Sequence, residues 1–136
     1  MFEKLKFFPI ERMQDNDNAD NMQSIKSMIE YAGIKGKVGI FPEGTTLKND
    51  EMDFNVFHDS FVKMAALTNA VIQPVNIYWF RYRNKLKPIV NLGDILVVQK
   101  TNMSSVYDEF MQCQKELLEE NKNMASNFRN NMCRNT

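Results

Sequence analysis

The stretch from Gly36 to Thr46, Gly-Lys-Val-Gly-Ile-Phe-Pro-Glu-Gly-Thr-Thr, restricts the fold more than any other part of this chain. Lys37-Val38-Gly39-Ile40-Phe41 is short, apolar and β-forming, and it stops on proline. Pro42 has no N–H to give a ladder and drives the residue before it into extended geometry, so a strand over 37–41 ends at Phe41. Gly44 frees the backbone to turn with N–H groups outward, and Glu43, Thr45 and Thr46 add a carboxylate and two hydroxyls. Such a turn suits an oxyanion, phosphate among them. Pro-x-Gly after a strand is also the form of an ordinary turn.

The residues on either side set the fold class. After the polar run Gln14–Asp20, in which Asp17 or Asn18 can cap a helix, apolar residues recur at Met22, Ile25, Ile29 and Ala32, one stripe of an amphipathic helix. Gly33 is placed to end it as a C′ glycine, and Gly36 to open the next turn. Helix, tight turn and apolar strand make half of a βαβ unit. The expectation is an α/β domain with a mainly parallel or mixed sheet flanked by helices. A strand over residues 4–10 would enter the same sheet.

Downstream, a helix over about 58–68 gathers Phe57, Phe61, Met64, Ala65 and Thr68 on one side. The β-rich run 71–80 follows, interrupted by Pro74 at an edge, a bulge or a kink. Asn84 marks the turn of a hairpin to Pro88–Val98, with Gly93-Asp94 placed to bulge the second strand. Val71, Ile72, Val75 and Ile77 read as sheet core. A last helix starts near Ser104 or Ser105, where Ser105-Val106-Tyr107-Asp108 has the form of a capping box, and Val106, Phe110, Cys113 and Leu117 form its stripe. Cys113 then serves as a small apolar core residue. The domain spans residues 1–120, and the asparagine-rich residues 121–136 form a frayed polar tail.

Composition narrows the function. The 136 residues make one domain, and 17 basic against 17 acidic residues leave no net field to recruit nucleic acid. The basic run Arg81–Lys87 reads as a solvated hairpin tip. The acidic loop 49–53 lacks calcium-loop spacing, so no metal site is expected. Two cysteines without a Cys-x-x-Cys or a signal peptide suit a reduced, cytoplasmic setting. No apolar run approaches about 18 residues, so membrane contact is expected to be peripheral, at the inner face.

Four blocks in order carry a resemblance. Phe41-Pro42-Glu43-Gly44-Thr45 resembles the third block of the glycerol-phosphate and lysophosphatidic-acid acyltransferases. Phe8-Pro9-Ile10-Glu11-Arg12 is similar to their second block, 57–65 to the helix that usually reads Phe-Lys-x-Gly-x-x-x-x-Ala, and Ile72-Gln73-Pro74-Val75-Asn76-Ile77 to their fourth. The likeness runs from Lys4 to Val98. It implies an incomplete version of the glycerolipid acyltransferase fold, acting in phospholipid biosynthesis. The reaction moves a fatty acyl group from coenzyme A or acyl carrier protein to 1-acylglycerol 3-phosphate or glycerol 3-phosphate, with no cofactor.

The resemblance assigns the acceptor's phosphate to Arg12, Glu43, Gly44, Thr45 and Thr46, with Phe41, Pro42, Pro74 and Val75 in support. An arginine forks onto two phosphate oxygens with charge-assisted bonds, and Glu43 either orients Arg12 or accepts from a glycerol hydroxyl. Thr46 stands where many relatives carry arginine, a loss of about 1–3 kcal/mol of phosphate affinity. The family's first block, His-x-x-x-x-Asp, supplies the base that takes the hydroxyl proton. The sole histidine here, His58, is followed five positions on by Lys63. The expectation is therefore an N-terminally truncated member, inactive alone, completed by a missing N-terminal fragment or prone to self-association through exposed edges. The competing readings are a non-catalytic lipid- or phosphate-binding pseudoenzyme and a structural fragment that needs a partner.

Overall fold

The computed structural model describes residues 18–34, 36–42 and 57–134, with side chains from 23 to 131. Its elements, in chain order, are α1 (Asn18–Gly33), α2 (Ser60–Thr68), β1 (Val71–Ile72), β2 (Val75–Tyr82), β3 (Lys85–Leu92), β4 (Leu96–Val97) and α3 (Met103–Arg134). Helices and small antiparallel ladders together make a mixed α/β architecture.

Both ladders are antiparallel, β2 with β3 and β1 with β4. The mainly parallel pairing expected from the sequence has no counterpart among the described residues. Residues 36–42, where a strand was expected over 37–41, carry no ladder. An apolar run capped by proline makes a strand only if a neighbour takes its N–H and C=O groups, and β1 and β4 satisfy each other instead. The expected strand over 4–10 lies outside the described residues.

The two ladders form one bent hairpin. Its tip is a two-residue turn in which Arg83 and Asn84 both have positive φ, 46° and 59°. That turn matches the right-handed twist of the strands it joins. The ladder runs on to Pro74, whose carbonyl accepts from Gly93 N–H at 3.0 Å. Beyond that pair, Gln73 alone faces Asp94 and Ile95 before Ile72 meets Leu96. This extra residue is a bulge at the expected place, and it reverses which side of the second strand faces inward. Gly93 and Asn91 point toward α3, yet after the bulge it is Leu96 and Val98 that turn inward while Ile95 and Val97 stay exposed.

Two helices close one face of the hairpin. Phe57, Phe61, Val62, Ala65 and Ala66 of the α2 region pack with Val98, Val106 and Phe110 into a single core. Phe57 meets Phe110 edge-on with ring centroids 5.5 Å apart, and the Tyr107 hydroxyl donates to the Phe57 carbonyl at 2.8 Å. α1 packs on α2, chiefly through buried Met28. It ends differently from expectation. Gly33 is still helical, and Ile34 and Gly36 both donate to the Tyr31 carbonyl at 3.2 Å. A Cβ at Gly36 would collide with the Tyr31 ring, so Gly36 is the glycine this helix end requires.

α3 corrects two further expectations. Its N-terminus is held by Asn102, not by a Ser105 capping box. Gln99 N–H donates to Asn102 Oδ1 at 2.7 Å, and Ser105 Oγ donates back to the Asn102 carbonyl at 2.9 Å. Its far end is no frayed tail: the helix continues through Asn121 to Arg134. Asn121 and Ala125 are buried, and Phe128 stands edge-on to Phe80 and Tyr82 at 5.7 and 5.2 Å. Contact of Phe128 with those two rings and burial of Asn121 and Ala125 outweigh the weak intrinsic helix preference of the asparagines.

Candidate functional site

Pro42 is tied to the entrance of α2. Its carbonyl accepts from His58 N–H at 2.9 Å, one residue after buried Phe57 and two before the helix begins. The chain thus leaves at Pro42 and returns at 57–58 on the same spot. Glu43, Gly44, Thr45 and Thr46 lie outside the described residues, as does Arg12, but Pro42, immediately ahead of the first four, is held beside the start of α2. Phe41, immediately before, is 83% exposed. Its ring is presented to solvent and not folded into the core.

The α2 entrance carries charge on its surface. Lys63 Nζ lies 2.8 Å from Asp59 Oδ2, both side chains well exposed, a pair worth at most a few tenths of a kcal/mol. Asp59 makes no side-chain cap to the helix; its carbonyl instead accepts from Val62 N–H at 3.1 Å. His58 is exposed. The helix exits through Asn69 at φ 52°, with its N–H group bonded to the Ala65 carbonyl.

Pro74 and Val75 occupy a second neighbourhood. Pro74 is fully buried at the bulge between β1 and β2, against Gly93. It is the kink foreseen from the sequence, and it lets one β-rich run serve two ladders. Val75 opens β2 and is half exposed on the outer side of the hairpin, not in the core. Ile77, also expected in the core, shares that outer side, because the alternate residues Asn76, Tyr78 and Phe80 are the ones turned toward α3. Hydrogen bonds attach Pro42 to the α2 entrance, Pro74 to Gly93 of the hairpin and Val75 to Gln114 of α3, so the four supporting positions fall into two separate groups.

The start of β2 is held by a chain of buried amides that the sequence reading missed. Gln114 Nε2 donates to the Val75 carbonyl at 3.2 Å, and Asn76 Nδ2 donates to Gln114 Oε1 at 3.2 Å. Asn121 Nδ2 donates to Asn76 Oδ1 at 2.9 Å, and Asn121 is 0% exposed. Asn121 Oδ1 is buried and accepts no bond. The clue was in the spacing: Phe110, Gln114, Leu117, Asn121, Ala125 and Phe128 continue one helical stripe, with amides inside it. Amides in such a stripe fix which residues of strand and helix meet.

Cys113 sits where this stripe meets the bulge. A Cβ at Gly93 would strike Cys113 Sγ. Partial burial raises the thiol's pKa above the ordinary range, with Glu116 and Asp94 adding to it. No group of histidine, cysteine and carboxylates that could hold a metal occurs among the described residues, and no helix among them is long and apolar enough to cross a membrane.

The family comparison covers the half of the chain in which the four blocks lie. The family model described as Acyltransferase matches residues 1–78, from ahead of Arg12 through the Pro74-Val75 kink. No curated protein and no solved structure matches the chain. With 78 of 136 residues matched in one span, the chain belongs to the acyltransferase family.

Proposed function

We propose that this chain supplies the acceptor-binding part of an acyltransferase of phospholipid biosynthesis. The acceptor is 1-acylglycerol 3-phosphate or glycerol 3-phosphate, and the acyl group comes from a thioester of coenzyme A or acyl carrier protein. Arg12 and the Glu43–Thr46 turn grip the phosphate, and the described ladders are the antiparallel part of a larger, mixed sheet. The observation that carries this reading is the bond between Pro42 and His58. It sets the root of the Pro-Glu-Gly-Thr-Thr turn at a helix entrance, where backbone N–H groups favour anions.

Acyl transfer needs a base for the hydroxyl proton, and His58 with Lys63 five positions on is not a histidine–aspartate pair. These 136 residues by themselves therefore bind acceptor but turn over negligibly. Titration of glycerol 3-phosphate and of lysophosphatidic acid by calorimetry tests the binding: Arg12→Ala should weaken it by about 1–3 kcal/mol. Unchanged affinity would remove Arg12 from the site. Thioester-dependent acylation by the purified chain at rates of about 1–1000 per second would refute the inactivity.

A further inference from the structure

The outer side of the hairpin is apolar, and nothing among the described residues covers it. Val75 pairs with Leu92, Ile77 with Val90 and Trp79 with Pro88 across β2 and β3. Of these, Leu92, Val90 and Trp79 are 61%, 58% and 59% exposed. Apolar surface of this continuity is uncommon on a protein facing water alone.

What adjoins this surface identifies its occupant. At the hairpin tip Arg81, opposite Leu86, stands on this outer side and Arg83 lies in the turn, while Lys85 and Lys87, opposite Tyr82 and Phe80, leave the ladder on the α3 side; all four are exposed. Arg129 reaches the same end from α3, donating to the Arg81 carbonyl at 3.2 Å with its guanidinium 5.7 Å from the Phe80 ring. Neither residues 70–93 nor residues 121–136 contain an aspartate or glutamate. The α3 carboxylates lie earlier in that helix, at residues 108–120, and on the other side of the sheet. A chain with no net charge thus has one strongly basic end, and that end borders an aliphatic face with a tryptophan on it.

We propose that the outer face of the β2–β3 hairpin docks on an anionic lipid surface. The aliphatic rows and Trp79 enter the headgroup boundary, and the basic tip neutralises lipid phosphates or carboxylates. A second copy of this chain would bring another basic tip to the first, whereas anionic lipid complements it. Single-stranded nucleic acid would need a row of aromatic platforms. Of the hairpin's own aromatic rings only Trp79 lies on this side; Tyr78, Phe80 and Tyr82 face α3. The inference is independent of acceptor binding by Arg12.

Trp79 is the chain's single tryptophan and reports its own surroundings. Mixing the full chain with vesicles of phosphatidylcholine plus phosphatidylserine should shift its emission to the blue, and brominated acyl chains should quench it. Vesicles of phosphatidylcholine alone should do little, and raising salt should weaken binding about tenfold. Arg81→Gln with Arg83→Gln should weaken it roughly 30-fold. Circular dichroism checks that variant's fold, and the salt titration of the unaltered chain stands without it. Unchanged emission, or equal binding to neutral vesicles, overturns the proposal. So does a concentration-dependent blue shift without lipid, which assigns the face to a second copy. A response to oligouridylate in place of vesicles overturns it as well.

Discussion

At position 93 a side chain as small as a methyl group has nowhere to go. The ideal Cβ there would strike Cys113 Sγ and stand 3.3 Å from Pro74 Cβ and 3.4 Å from Leu117 Cδ1. Gly93→Ala should therefore lower stability by about 1–3 kcal/mol. Combining it with Cys113→Ala, which removes the sulfur, should recover part of that loss. Urea unfolding of the four members of the cycle measures the coupling, and strict additivity would mean the collision is not real. The same sulfur makes a pH prediction. A thiol whose folded pKa is raised favours the protonated form in the fold. Its contribution to stability is whole below the unfolded thiol's pKa and is lost as pH rises through the folded value. The unfolding midpoint should thus fall more steeply between about pH 8 and 10 in the native chain than in Cys113→Ala. Iodoacetamide should also label Cys113 more slowly in the folded state than in urea.

Among the elements, the hairpin was the most legible from sequence and α3 the least. The β-rich run, the proline break, the asparagine at the turn and the glycine at the bulge are each local devices, and local devices can be read residue by residue. The end of α3 depends on partners about 48 residues away, since Phe128 is held by Phe80 and Tyr82. No propensity of Asn, Ser or Met reveals that. Residues 37–41 failed in the other direction, because a strand needs a neighbour as well as a composition. At the turn, Arg83 and Asn84 sit in left-handed geometry that costs most residues about 1–2 kcal/mol. Replacing them by Asn-Gly (Arg83→Asn with Asn84→Gly) should raise the thermal midpoint, by about 1 kcal/mol of stability. A lower midpoint would mean that Arg83, whose guanidinium lies 5.3 Å from the Tyr82 ring, contributes more through that contact than its backbone costs.

Across the whole molecule, cohesion is uneven. Among the described elements, α3 lies along α2, both long strands and β4, whereas α1 packs on α2 only. Amide hydrogen exchange should therefore show α1 opening at lower free energy than the α3–hairpin unit, with Phe80, Leu117 and Ala125 among the slowest amides. Equal protection throughout would mean one cooperative unit. Charge was the property that composition hid most completely. Equal totals of acid and base concealed their segregation, which appears only once the hairpin tip and the end of α3 lie together. The acyltransferase family was legible from four short blocks, and the match over residues 1–78 bears that out, while the bond between Pro42 and His58 emerges only in three dimensions.

The bulge has a consequence for how this sequence can change. It works as a frame shift in the pleat: one residue added between Gly93 and Leu96 sets the inward–outward parity of all that follows. Removing Ile95 alone would give Gln73 a single partner and keep Leu96 and Val98 inward, whereas flattening the bulge at unchanged length would swing both outward and drive Val97 in their place. Length and facing are consequently coupled in this corner: losing one of Asp94 and Ile95 leaves the inward row in place, whereas losing both would turn it outward.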